Sequence, residues 1–192
     1  RDLNYPAIVI PHGNTWGFYT PPTSSLDKQL ISEFNDDNLQ ILFEVMSGHG
    51  NSEEYRPWRA LIEDDQGELS CPKPSKDYLP SCWRAGQIIE ERCIDNGFSE
   101  SECSIRAEEA RQNYAAMGVA GHLTVPGVEI EDWLDSGQCR DCFIPSFNYR
   151  PAGSAQYGLA ISNFDQNKPI RFNFGFIASS DNHRARPGTG YK

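Results

Sequence analysis

Apolar positions gather in a few short runs, and three of those runs lead into a histidine. Ala7-Ile8-Val9-Ile10 runs into Pro11-His12; Ile41-Leu42-Phe43-Glu44-Val45-Met46 runs through Ser47-Gly48 to His49; Phe172-Asn173-Phe174-Gly175-Phe176-Ile177-Ala178 runs through Ser179-Ser180 to Asp181-Asn182-His183. Short β-branched and aromatic stretches closed by Gly, Pro or Ser read as strands. After the first, Pro21-Pro22 breaks the chain, and Ser24 or Ser25 caps a helix through about Asn35 with Leu26, Leu30 and Phe34 on one face. Strand, helix, strand predicts a βαβ unit with parallel strands, whose C-terminal ends share one rim and bring His12 and His49 to it. Glu44 interrupts the second run, and a carboxylate inside a buried strand must be neutralised, hydrogen-bonded or bound to metal.

The middle of the chain has a different pattern, with helical periodicity and few β-branched runs. A helix is predicted over 81–93, stopping at Asn96-Gly97. Ser99-Glu100-Ser101-Glu102 is a capping box that opens the next, which continues through Ala107, Ala110 and Tyr114 to Gly118. A third, from about Gly153 to Phe164, places Tyr157, Ile161 and Phe164 on one side. The expected organisation is one structural domain in three stretches. Residues 1–66 form a barrel portion carrying His12, Glu44 and His49, 67–152 a cysteine-rich helical insertion or lid, and 153–192 the last helix and strand with the Asp181/His183 motif.

Composition narrows the partners. The 192 residues include 27 acidic and 17 basic side chains, a formal charge of −10, which argues against a nucleic-acid partner. An anionic small molecule stays open if bound metal reverses the charge locally. No apolar run reaches the length of a membrane span. The chain begins at Arg1 without a signal-type segment, which reads as a processed, trimmed or internal fragment. All 6 cysteines fall between Cys71 and Cys142, which predicts disulfides and an exported, periplasmic or extracellular location. Cys93 and Cys103 flank a helix-to-helix turn and Cys71 and Cys82 bracket a Pro-containing loop, so both pairs are expected to bridge. Cys139-Arg140-Asp141-Cys142 fits a redox pair, half of a zinc site or a short structural bridge, and the lack of a second such motif favours the bridge.

Imidazole and carboxylate converging on one rim describe a divalent-metal site, although a single histidine beside a strand is more often structural. The setting of Ser179-Ser180-Asp181-Asn182-His183 resembles the last metal-binding motif of the polymerase and histidinol phosphatase (PHP) superfamily. With Ile10-Pro11-His12-Gly13-Asn14, Phe43-Glu44-Val45, Ser47-Gly48-His49-Gly50-Asn51-Ser52-Glu53, and the stretch from Cys139 to Pro151, nearly the whole chain is similar to the PHP-related domain-of-unknown-function family number 3604. That resemblance implies the C-terminal portion of a distorted (β/α)7, TIM-like barrel with two or three metal ions of Zn, Mn or Fe type, hydrolysing phosphoesters. It puts His12, His49, Asp181 and His183 on metal positions, with Asp181 and Glu44 as catalytic groups and Glu44 also a ligand. The first His-x-His motif and the later Thr-Asp-His of such proteins are absent, so an N-terminal portion of the same protein is expected to complete the site.

Arg184 and Arg186, directly after His183, are the better candidates for an anion clamp, with Arg150 and Arg56 behind them. Asn14, Asn51 and Asn182 are placed to orient ligands or substrate, or to make turn hydrogen bonds. His122 matches no ligand motif and reads as structural. A Ser-His-Asp hydrolase is disfavoured because no Gly-x-Ser-x-Gly elbow occurs. The expected activity is metal-dependent ester hydrolysis through an activated water. The rivals are an exported binding or scaffolding module with purely structural metal and disulfides, and an inactive fragment.

Overall fold

The computed structural model describes residues 5–12, 17–18, 20–31, 33–47, 50–51, 53, 59–138, 140, 148, 150–165 and 167–179. The architecture is mixed α/β: among the described residues there are three α-helices and two small sheets, neither closed into a barrel. The chain divides into two compact units, one made of Arg1–Glu54 with Arg150–Lys192 and the other of Tyr55–Tyr149. The second spans most of the stretch in which the sequence pattern places an insertion.

In the first unit, β1 (Leu42–Ser47) is the central strand of a three-stranded sheet. It pairs antiparallel with the two-residue β2 (Gly50–Asn51). In the second unit β3 (Ile62–Glu63) and β4 (Leu69–Ser70) form a separate antiparallel pair. The other neighbour of β1 is β5 (Gly175–Ala178), parallel to it with Leu42 opposite Gly175 and Glu44 opposite Ile177. A register shift then skips Val45, so Met46 faces Ala178.

Residue alternation explains the core of this unit. Phe43 points to one face of β1, where it is fully buried against Leu26 and Ala155, and its ring stacks on Phe174 with centroids 4.9 Å apart. Phe172 and Phe174 pack on the same cluster but precede the strand proper. β5 is the edge strand of the sheet, and all four of its residues are exposed.

Three further elements differ from the sequence pattern. Residues 7–10 form no strand, with Ile8 and Val9 exposed and Val9 N–H donating to Leu39 O at 2.7 Å. Pro6 and Pro11 bracket the run and contribute no N–H to a ladder. The helix expected from Ser24 or Ser25 through Asn35 is only a 3-10 turn, Leu26–Gln29. Its apolar face is real at Leu26 and Leu30, which are buried, but Phe34 is exposed. The Asn/Asp-rich segment that follows makes its own turns, with Asp36 Oδ1 accepting from Asn38 N–H at 3.0 Å. The helix expected from Gly153 to Phe164 shrinks to α3 (Ala155–Ala160), since Ser154 caps it through Tyr157 N–H and Asn163 turns away to bridge with Ile170.

The second unit follows the sequence closely. Helices α1 (Ser81–Asp95) and α2 (Glu100–Met117) form an antiparallel hairpin, α1 stopping at Asn96 before Gly97 at φ +81°. Ser99 caps α2 by accepting from Glu102 N–H. Disulfides Cys71–Cys82 and Cys93–Cys103 are both formed, the second joining the two helices beside the turn of the hairpin. Cys139 and Cys142 lie outside the described residues. Buried Arg84 donates to Asp132 O at 2.8 Å and pairs with Glu91 at 2.7 Å, so its charge is satisfied within the unit. No helix among the described residues is long and apolar enough to cross a membrane.

Candidate functional site

The parallel pairing of β1 and β5 makes both strands end at one edge of the sheet. On β1, Phe43 takes the buried face and Glu44 therefore takes the other. The pairing continues one residue past β5, with Ser179 N–H donating to Met46 O at 3.0 Å. That fixes Ser179 beside Glu44, and its hydroxyl donates to Glu44 Oε1 at 3.3 Å. The second oxygen, Oε2, lies 2.7 Å from Nδ1 of His12. The carboxylate side chain is 11% exposed and the imidazole 58%, so the acid is sheltered by the sheet while the ring faces solvent.

A carboxylate inside an apolar strand needs a partner, and Glu44 has two. One is His12, anticipated as a site residue. Ser179 was not assigned a role; the available signal was a hydroxyl immediately after a strand parallel to the one that carries Glu44. His12 reaches this edge from an irregular segment rather than from a strand end. His49, Asp181, His183, Asn14, Arg56, Asn182, Arg184 and Arg186 lie outside the described residues. Among the described residues no group of three or more His, Cys, Asp or Glu side chains gathers in metal-binding fashion.

Arg150, a candidate anion clamp, is buried and turned onto main chain: its Nε and Nη2 donate to Gly17 O at 3.1 and 2.8 Å, and Nη2 also to Thr20 O at 3.0 Å. Holding an anion with these groups requires breaking bonds that tie down the 17–20 loop. His122 belongs to the second unit, where its Nδ1 lies 3.5 Å from the Asn148 amide. A second carboxylate is used structurally in the first unit: Glu53 accepts from the N–H groups of Ala155 at 2.6 Å and Gln156 at 3.2 Å, neutralising the start of α3.

No protein-family model matches the sequence, and comparison with curated proteins and with solved structures found no match.

What the arrangement can do follows from its donors. An ionised carboxylate only accepts hydrogen bonds, so a neutral imidazole facing it at Nδ1 presents its N–H there and its lone pair at Nε2. Such a ring is a metal ligand or a general base, backed by an acid.

Proposed function

We propose that this chain is the C-terminal portion of a metal-dependent hydrolase related to the PHP superfamily, cleaving a phosphoester or similar ester of an anionic small molecule. The observation that carries the reading is the His12–Glu44 contact of 2.7 Å beside the C-terminal end of β5, where it runs parallel to β1. An exposed imidazole backed by a sheltered acid suits a divalent ion of Zn, Mn or Fe type. His12 would hold it together with His49, Asp181 and His183. The last two follow Ser179 by two and four positions in the sequence, and Ser179 lies against Glu44. When bound, such ions supply a water acidified to near-neutral pKa and charge neutralisation for the ester. The chain's own contributions are orientation of His12 by Glu44, and an anion clamp from Arg184 and Arg186. The two disulfides support an exported protein.

The deciding experiment is hydrolysis of bis-p-nitrophenyl phosphate by the protein extended upstream to include a His-x-His segment, with Mn²⁺ or Zn²⁺ added. Activity should require metal, and both metal-stripped and Asp181→Ala protein should be nearly inactive. Full turnover by both would sink the proposal. A second reading, a binding or scaffolding module without catalysis, draws on the stapled helical hairpin of the second unit. Tight, stoichiometric metal that is inert toward every ester would favour it.

A further inference from the structure

Glu44 is the kind of residue one assigns to the metal itself, and its surroundings also give it a role toward His12. Its two oxygens are committed to protein partners, Oε1 to the Ser179 hydroxyl and Oε2 to His12 Nδ1. Both commitments come from the sheet. Glu44 is fixed in the central strand and Ser179 is held by its own main-chain bond to Met46. His12 itself lies in no helix or strand and is more than half exposed, so side-chain contacts help set its ring orientation.

We infer that Glu44 is a positioning residue: it holds His12 in the tautomer that is protonated on Nδ1, with Nε2 as the ligating nitrogen. The inference deepens the proposed function, on which its consequence for metal binding rests, but the tautomer itself is a property of the metal-free chain. The sheet-held carboxylate selects one of two neutral forms, with one oxygen on Ser179 and the other facing the ring. In metal sites, removing an acid behind a histidine ligand weakens metal binding by about 10- to 100-fold.

The test is nitrogen-15 NMR of the full, metal-free chain labelled at histidine, at a pH where the rings are neutral. In the unaltered protein His12 Nδ1 should have the shift of a protonated ring nitrogen and Nε2 that of an unprotonated one. Glu44→Gln should keep this pattern, because the amide oxygen still accepts from Nδ1–H and the amide nitrogen can donate to Ser179 Oγ. Glu44→Leu should move His12 toward the form protonated on Nε2, while His122, in the other unit, keeps its shifts and reports that the chain is folded. A His12 protonated on Nε2 in the unaltered protein overturns the inference even if Glu44→Leu does not fold, and so does an unchanged pattern in a folded Glu44→Leu.

Zn²⁺ titration by calorimetry separates the two levels. Affinity in Glu44→Leu reduced about 10- to 100-fold supports the positioning role. If the protein extended upstream to include a His-x-His segment binds no Zn²⁺ while the unaltered chain shows the expected tautomers, the metal-dependent function fails and the positioning of His12 stands. If Zn²⁺ binds equally well to the unaltered chain and to Glu44→Leu, the metal reading stands and the positioning role falls.

Discussion

Replacing Cys93 and Cys103 together by Ala tests whether the second unit is held by its staple or by its core. The bridge closes a loop with a sequence separation of 10. Loop-closure entropy for that separation is about 9 cal/mol/K, so the unfolded chain is destabilised by about 2.7 kcal/mol near room temperature. Both cysteines are buried, Cys103 completely, so lost sulfur contacts add to that figure. Urea unfolding followed by far-UV circular dichroism reads α1 and α2 directly. With a slope of about 1.5 kcal/mol per molar urea, the midpoint should fall by about 2 M. The Cys71–Cys82 bridge, with a separation of 11, makes a useful control. Its loop term differs by only about 0.1 kcal/mol, so the Cys71→Ala/Cys82→Ala pair should lose a similar amount. Removing both bridges costs about 5 kcal/mol, comparable with the whole stability of a small domain, and should leave the unit largely unfolded without denaturant. A loss below about 1 kcal/mol for Cys93→Ala/Cys103→Ala would show that hairpin packing, and not the covalent link, holds the helices.

Gly86→Ala ought to destabilise, although Ala is the better helix former by about 1 kcal/mol, because its Cβ would stand 2.9 Å from Ala107 O across the α1–α2 crossing and a thermal melt should fall by several degrees. Burial pushes the Tyr78 phenol up from 10.0 to about 12. The unfolded chain therefore loses its proton first, so stability is complete below pH 10 and falls by about 2 to 3 kcal/mol as pH rises toward 12. Urea midpoints measured across that window should slope downward, and Tyr78→Phe should flatten the slope. Glu53→Ala leaves the N–H groups of Ala155 and Gln156 without their carboxylate, at a cost of about 1 kcal/mol, seen as faster hydrogen exchange in α3.

The helical hairpin was readable from sequence because its signals are local. A capping serine, Asn96-Gly97 at the turn, and cysteines on either side of it all act within a few residues. The strands were readable only where tertiary partners agree with the pattern. Leu42–Ser47 has β5 beside it and Phe174 beneath it; residues 7–10 have equal β-propensity but prolines at both ends, and remain unpaired as a strand. The helix after Pro21-Pro22 fails for a competing local reason, since Asn and Asp side chains satisfy the backbone in turns. At the site, Glu44 was identifiable because a carboxylate in an apolar strand demands a partner. That its carboxylate meets both His12 and Ser179 depends on a parallel register with a skipped residue, and no sequence period encodes that.

The placement of Glu44 also separates stability from function in a measurable way. A carboxylate 11% exposed beside Leu42 and Met46 sacrifices solvation, and its partners return little: His12 is 58% exposed and the attraction between them is screened by water. Replacing such a polar pair with an apolar side chain of similar size is often neutral or favourable. The groups Glu44 would leave behind, an imidazole 58% exposed and the hydroxyl of the exposed Ser179, are within reach of water, so neither becomes a buried unpaired group. Glu44→Leu is therefore expected to unfold at the same urea concentration as the unaltered chain or a higher one, by up to about 1 kcal/mol. A stability loss above about 2 kcal/mol would mean that the pair is part of what holds the sheet together. A neutral or positive change, combined with a lost His12 tautomer, would mean that the acid is there for what the histidine does.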